Sequence, residues 1–266
     1  MPDFVYQLPQ TQLAVLFSLL AVAAVAVSIL VIKPVFRLFF GTGPDFNQSL
    51  GFAASGFNLF YGLLLGLLVV SAYQNSEKVR EAIQVEALTL GALYSDMETY
   101  PEPLRSELRE MMRDYVLYTI HRDFPAHRTG DFLDGGSNRA DGIRLMLAGH
   151  EPRTQGEVIV HQEVVAAFRD FDRARQQRLS GVLAEIPDIL WYAVLVGAAV
   201  NVILLSLIRM RPHTQFMIGT ITTFFLGVIL FVIVTLDSPL KGEAGLAPTP
   251  FALLWEREMR WDDAQA

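Results

Sequence analysis

The side chains best placed to do chemistry in this chain are Asn58 and Tyr61, which stand three residues apart. They lie inside a stretch without Asp, Glu, Lys or Arg, residues 46–76. That spacing places both side chains on one face of a helix. A polar group among apolar neighbours must be hydrogen-bonded to protein or to water. Two interpretations follow: a hydrogen bond to another helix, or the wetted lining of a pore.

Two glycines and an aromatic residue accompany this polar pair. Gly62 and Gly66 lie four residues apart, a spacing that lets two helices approach closely in lipid. They indicate either packing within one subunit or a contact at a subunit or pore boundary. Phe60 lies beside the polar face, where it could either form an apolar constriction that gates a pore by dewetting or face lipid.

Charged candidates lie outside this stretch, beginning with Glu86 beside the apolar face of a predicted helix. A charge in that position is costly unless it is paired. Arg105, Arg109 and Arg113 recur at a spacing of four and repel one another, so we expect an acidic group opposite them. The sequence predicts a salt bridge between Glu86 and this arginine row. The alternative is that the row binds an anion or an acidic lipid.

Asp237 closes the last apolar stretch of the chain. A carboxylate at the C-terminus of a helix is opposed by the helix dipole and therefore needs a partner. Lys241 or an arginine of the central region could supply one. The residue therefore predicts a structural ion pair at the membrane surface or, alternatively, a carboxylate of a gate or ion site.

No constellation in the sequence predicts an enzyme. The five histidines form no His-Glu-x-x-His pattern, and the chain has no cysteine. An acidic loop contains Asp131, Asp134, Asn138 and Asp141, but its spacing does not match a calcium-binding EF-hand loop. We therefore predict no catalytic residues, no metal and no cofactor. The net charge of −7 argues against nucleic acid as a partner.

Long uncharged stretches are the features that must position these residues. They run Phe4–Ile32, Phe46–Ser76, Ile189–Ile208 and Pro212–Leu236. Each reaches about the 20 apolar residues that a helix needs to cross a bilayer. The sequence therefore predicts an all-α integral membrane protein in a lipid bilayer. Its four transmembrane helices are predicted at about 13–32, 52–73, 186–207 and 216–236.

These spans form two predicted hairpins around a polar insert. The predicted organisation is a first transmembrane hairpin at 1–73, a helical extramembrane domain at 74–185, a second transmembrane hairpin at 186–236 and a C-terminal tail at 237–266. Gly41, Gly43 and Pro44 indicate a loop within the first hairpin, at 33–50.

The insert is predicted to be helical because apolar residues recur in it at spacings of three and four. The first helix should continue from the second span and end before Pro101, with Val79, Ile83, Ala87, Leu90, Tyr94 and Met97 on its apolar face. A second helix is predicted near Leu104–Asp123 and a third at about Glu157–Ala184. Residues 124–155 contain several glycines and predict a loop with one short helix.

Two blocks of residues resemble a known family. The first runs Asn58-Leu-Phe-Tyr-Gly-Leu-Leu-Leu-Gly66 and continues through Glu86-Ala87 to Pro101-Glu-Pro-Leu-Arg-Ser-Glu-Leu-Arg109. The second is Leu236-Asp-Ser-Pro-Leu-Lys-Gly242, just after the fourth span. Together with the two hairpins, these blocks resemble the bacterial bestrophin-like membrane proteins (DUF4239) over about residues 45–260.

The resemblance implies a channel. Bestrophins are pentameric anion channels with a long second span along the pore and a helical cytoplasmic body between spans two and three. By that likeness we expect a homo-oligomeric ion channel for inorganic anions in the bacterial inner membrane, with the second span near the pore. The acidic calcium clasp of animal bestrophins has no counterpart here. The alternative is a non-conducting membrane sensor or scaffold whose helical domain binds a partner.

The side of the membrane on which the insert lies is predicted differently by charge and by resemblance. Lys33, Arg37, Arg209 and Arg211 lie in the two short loops, and the positive-inside rule places those loops in the cytoplasm and the insert outside. The resemblance places the insert in the cytoplasm. We give the resemblance slightly more weight, because long loops such as the insert weaken the charge rule.

Overall fold

A computed structural model describes residues 9–35, 46–183, 186–243 and 245–260. Within these ranges the regular structure is entirely helical, which confirms the predicted all-α class. Nine α-helices lie in them: α1 Gln10–Val27, α2 Phe46–Asp96, α3 Leu104–Tyr118, α4 Phe124–Thr129, α5 Gly135–Ala148, α6 Gln155–Leu183, α7 Asp188–Leu207, α8 Pro212–Asp237 and α9 Thr249–Leu254.

Four of the described helices are long and apolar enough to cross a membrane. They are α1 with the helical turns that follow it, α2, α7 and α8, so the prediction of four spans is confirmed. Helix α2 is 51 residues long and begins at Phe46, several residues before the predicted second span. Gly41, Gly43 and Pro44, on which the predicted loop depended, lie outside the described residues.

The chain forms two compact units, which we call the membrane unit (residues 1–74 and 185–237) and the insert unit (residues 75–184 and 238–266). The core of the membrane unit consists of Leu13, Tyr61, Leu65, Leu68, Trp191, Val194, Ile233 and Val234. Helices α1 and α8 pack closely there, since a Cβ atom on Gly227 would lie 3.1 Å from the Phe17 carbonyl oxygen. Only glycine allows that approach without displacing the backbone of α1.

A short turn joins α7 and α8 and is held by a side chain of α2. The Asn47 Nδ2 donates to the Arg209 carbonyl oxygen at 3.1 Å, and the Arg209 backbone N–H donates to Asn47 Oδ1 at 3.0 Å. Pro212 then opens α8, where the missing N–H of proline has no cost. The amide of Asn47 thus fixes the start of α2 to the second hairpin.

The insert unit has its own apolar core. The predicted face of its first helix is buried: Val79, Ile83, Ala87, Leu90, Tyr94 and Met97. Against it pack Leu108, Met112 and Tyr115 of α3, Phe168 and Phe171 of α6, and Phe251 and Leu254 of α9. The 3.6-residue period of the sequence therefore located the inward face of this helix.

The prediction of a loop with one short helix at 124–155 was wrong. Two helices lie there, α4 and the 14-residue α5. Gly135 and Gly136 do not break α5 but form its first turn, where Cβ atoms would collide with the Tyr118 ring and the Asp123 carboxylate, respectively. The glycines serve close packing here, not a turn.

A π-helical turn, Thr119–Asp123, joins α3 to α4. Such turns insert a residue into the helical ladder and are frequent at functional sites. Asp123 is buried within the unit. Helix α4 is followed by Gly130, whose φ of 85° is the left-handed conformation that glycine adopts without strain.

Candidate functional site

Tyr61 lies on the face of α2 that packs inside the membrane unit. Its hydroxyl donates to the Val194 carbonyl oxygen of α7 at 2.9 Å, and its ring stacks on Phe57 with centroids 5.6 Å apart. The ring also covers Gly197, where a larger side chain would collide with it. Of the two roles that the sequence allowed, the structure shows Tyr61 in an interhelical hydrogen bond.

Asn58 also bonds to α7. The Asn201 Nδ2 donates to Asn58 Oδ1 at 2.7 Å, at the outer surface of the unit. This bond satisfies one donor of Asn201 and the acceptor of Asn58 in a region where water is scarce. The polar face of α2 therefore ties the second span to the third.

Apart from Asn58, the exposed side of α2 has no such partner within the described residues. Phe60 is 73% exposed, and no described atom lies within 4 Å of a Cβ placed on Gly62 or Gly66. Within the described residues these glycines have no close neighbour, and both interpretations of them stay predictions. The exposed side also carries large apolar residues: Phe52, Leu59, Leu63, Leu67 and Val70.

A buried ion cluster lies in the insert unit, centred on Glu86 of α2 and Arg178 of α6. The Arg178 Nε donates to Glu86 Oε2 at 2.6 Å, and Nη2 donates to Oε1 at 3.2 Å. Tyr115 of α3 donates its hydroxyl hydrogen to Glu86 Oε1. All three side chains are inaccessible to solvent. A bidentate pair with a further hydrogen bond is the geometry that a buried charge requires.

The predicted salt bridge between Glu86 and the arginine row is wrong. Arg105 pairs with Glu102 at 2.7 Å, and Arg109 lies 3.3 Å from Glu98 and over the Tyr94 ring. The buried side of α3 instead presents Leu108, Met112, Tyr115 and Val116 to the core. The row therefore lies on the flank of α3, away from the interior where Glu86 is found.

Two further ionisable groups surround Arg178. Its Nη1 donates to His127 Nε2 at 3.0 Å, while His127 Nδ1 donates to the Asp131 carbonyl oxygen at 3.2 Å. Its Nη2 lies 3.8 Å from Asp123 Oδ2. Burial, assisted by the charge of Arg178, lowers the pKa of His127 to about 4, so this histidine is neutral at pH 7. Burial also raises the pKa of Asp123 above its usual value.

Sequence reasoning missed Arg178, Tyr115, Asp123 and His127. One signal was available for Arg178: it continues the apolar face of α6, seven residues after Phe171. An arginine in register with buried aromatic residues is expected to be buried itself. A buried positive charge then needs an acidic partner. Tyr115 likewise lies on the apolar face of α3, seven residues after Leu108, but nothing in the sequence indicated Glu86 as its partner. Asp123 and His127 carried no comparable pattern.

Asp237 is buried at the end of α8. Its Oδ1 accepts a hydrogen bond from the Ile186 backbone N–H at 2.6 Å, just before Pro187 and α7. The carboxylate thereby satisfies a backbone donor at the start of the third span. The predicted ion pair and the alternative gating role both stay predictions.

The helical fold and the four candidate spans define a multi-pass membrane protein. The chain belongs to the bestrophin-like family, since the family model described as Bestrophin-like domain matches residues 19–251. No curated protein sequence matches the chain.

Two crystal structures share this fold at low sequence identity. A bacterial bestrophin homolog from Klebsiella pneumoniae that carries a point mutation has 10% identity and a TM-score of 0.65, over 93% of this chain and 98% of the homolog. A structure described only as a membrane protein variant has 9% identity and a TM-score of 0.66, over 91% of this chain and 97% of the other. At such identity the likeness shows the fold alone.

Proposed function

We propose that the protein is a homo-oligomeric channel for inorganic anions, in which α2 of each subunit lies beside the pore. Membership of the bestrophin-like family supports the class. The observation that carries the proposal is the outer side of α2, which has large apolar side chains and two unpacked glycines but no partner within the described residues.

In a ring of subunits, this side of α2 provides both a pore surface and a subunit contact. Phe60, Leu63 and Leu67 would project towards the axis and form an apolar constriction that ions pass only when it is wetted. Gly62 and Gly66 would let a neighbouring helix approach closely. Asn58 and Tyr61, bonded to α7, would hold the second span in place.

Two features of α2 support the proposed preference for anions. Residues 46–76 contain no carboxylate that would attract cations. The edges of aromatic rings carry positive potential, so Phe52 and Phe60 can present a favourable surface to an anion without a fixed charge. No catalytic activity is part of this proposal. Within the described residues no group of three or more His, Cys, Asp or Glu side chains could hold a metal ion.

The proposal includes a location in the bacterial inner membrane with the insert unit in the cytoplasm. The family resemblance supports this orientation, while the basic residues Arg209 and Arg211 in the α7–α8 turn favour the opposite one. A cysteine introduced at exposed Arg211 separates the two. In intact cells it reacts with an impermeant thiol reagent if the insert is cytoplasmic, and is protected if the insert is outside.

The absence of cysteine makes the pore assignment directly testable. Phe60→Cys, on the open side of α2, is reconstituted in liposomes beside Leu65→Cys, which lies on the buried side. An anionic thiol reagent should block chloride flux through the first variant and leave the second unchanged. Equal responses would contradict the placement of α2. A monomer without flux would favour the alternative, a non-conducting sensor or scaffold.

A further inference from the structure

Three aromatic side chains meet in the insert unit at a place that the proposed channel does not use. Tyr100 follows the end of α2, His150 follows α5, and His161 lies in the second turn of α6. The Tyr100 Oη and His161 Nδ1 are 2.6 Å apart. The two imidazole rings lie 5.5 Å apart between centroids, and the Tyr100 ring lies 5.1 Å from that of His150 and 6.0 Å from that of His161.

The separation of the two imidazoles suits a shared metal ion. A Zn–N bond is about 2.0–2.1 Å, so two imidazoles on one tetrahedral zinc have centroids roughly 5 Å apart. The observed 5.5 Å is close enough that small side-chain rotations would close the site. Both histidines are half-buried, so an ion can reach them from solvent.

Tyr100 provides the support that a metal-binding histidine requires. A ligating imidazole normally bonds its second ring nitrogen to a protein group that fixes the orientation of the ring. The buried hydroxyl of Tyr100 contacts Nδ1 of His161, which leaves Nε2 for an ion. With a metal on Nε2, Nδ1–H would donate to the Tyr100 oxygen. Tyr100 is therefore a positioning residue and not a ligand.

We propose that His150 and His161 form a binding site for a divalent transition metal ion such as Zn²⁺, with Tyr100 orienting His161 and water completing the coordination. Imidazole nitrogen favours Zn²⁺, Ni²⁺ and Cu²⁺ over the hard cations Mg²⁺ and Ca²⁺. The bound ion would join three segments of the insert unit: the turn after α2, the α5–α6 connection and the start of α6.

Calorimetry on the full-length protein tests the site. ZnCl₂ is titrated into detergent-solubilised protein that carries no polyhistidine tag, and one ion per chain is expected. Tyr100→Phe should weaken binding by roughly 10–100-fold, and His150→Ala and His161→Ala should each weaken it by more. His121→Ala, which removes an exposed histidine of the same unit, should leave the affinity unchanged. MgCl₂ should give no heat.

Electron paramagnetic resonance of bound Cu²⁺ identifies the ligands directly in the wild-type protein, with one variant for comparison. The wild-type spectrum should show hyperfine coupling to two imidazole nitrogens, and His150→Ala should show one. No zinc binding, equal affinity in the wild type and the variant lacking both histidines, or a wild-type Cu²⁺ spectrum without two nitrogens would each overturn the proposal.

Discussion

The two units of the molecule satisfy their buried polar groups in opposite ways. In the membrane unit, neutral side chains bond to backbone carbonyls, as Tyr61 does to Val194 and Thr223 to Ala21. In the insert unit a full negative charge, Glu86, is buried against a full positive one, Arg178. A charge is expensive in lipid and needs several partners in any dry interior. The kind of buried polar group in each unit therefore follows from its surroundings, which are lipid for the membrane unit and water for the insert unit.

Two described residues of the membrane unit are exceptions to this contrast: Asp237, buried at the end of α8, and Lys33. Lys33 is also buried, and its ammonium group donates to the Gln215 side-chain oxygen and the Met210 carbonyl oxygen. Both acceptors are neutral dipoles, and Lys33 follows the first span near the α7–α8 turn, where long basic side chains are tolerated. A cation is thus present in this unit at the end of a helix, not at its middle.

The units also differ in how much of the apolar surface of α2 they leave exposed. In the insert unit α2 buries one face, including Leu90 and Leu93, against the other helices and exposes Leu88. In the membrane unit the same helix exposes one apolar side, including Phe60. Monomeric soluble proteins rarely expose a continuous apolar surface. The open side of α2 therefore indicates lipid or a second subunit as its neighbour.

The largest expected effect comes from breaking the buried ion pair. Arg178→Met leaves Glu86 without its charged partner and should lower the free energy of unfolding by about 3–5 kcal/mol. Thermal unfolding in detergent, followed by circular dichroism, measures the loss. Arg105→Met, at an exposed pair, is the matched control and should change little. Equal effects of the two changes would contradict the contrast between buried and exposed charges.

Acid should weaken the insert unit through His127. Because its pKa in the folded chain, about 4, is below the usual 6.5, the unfolded chain binds the proton first. Stability is complete above about pH 6.5 and falls as the pH drops towards 4, by on the order of 1–3 kcal/mol. Asp123, whose pKa is raised, acts in the opposite direction. The difference between wild type and His127→Gln isolates the histidine, and identical pH profiles would refute its role.

Replacing a glycine by alanine should have opposite effects on stability at the closed and open sides of the membrane unit. Gly227→Ala places a methyl group 3.1 Å from the Phe17 carbonyl oxygen and should cost about 1–3 kcal/mol. Gly56→Ala on the open side of α2 meets no described atom within 4 Å and should gain up to about 1 kcal/mol of helix propensity. Melting temperatures in detergent compare the two, and a loss at Gly56 alone would reverse the assignment.

The smallest expected effect is at Tyr61. Tyr61→Phe removes the hydrogen bond to Val194 while keeping the packing on Gly197, and should cost about 0.5–1.5 kcal/mol. Tyr73→Phe, at an exposed tyrosine of the same helix, is the control. If both variants melt like the wild type, the hydrogen bond in the membrane unit contributes nothing measurable.

Much of the fold could be predicted because lipid imposes a simple rule. Four uncharged stretches became the four candidate spans, and the three-and-four spacing from Val79 to Met97 became the buried face of α2. The glycine-rich region failed because glycine also serves close packing, as Gly135 and Gly136 do against α3 and the turn that follows it. Local sequence does not distinguish these two uses.

The candidate sites were harder to predict because each depends on which helices meet. The spacing of Arg105 and Arg109 showed that they share a face of α3, but not that α6 supplies the partner of Glu86. Likewise, the spacing of Asn58 and Tyr61 could not reveal that both bond to α7. Which distant elements pair is determined by the packing of the whole structure. The sequence of one helix does not show which other helix supplies its partners.

The most direct test of the central claim is the current carried by the purified wild-type protein in a planar bilayer under a KCl gradient. A channel for anions predicts a wild-type current that reverses near the equilibrium potential of chloride. The same current through the Phe60→Cys variant should be abolished by an anionic thiol reagent. The absence of current, or a reversal near the equilibrium potential of potassium, would contradict the account.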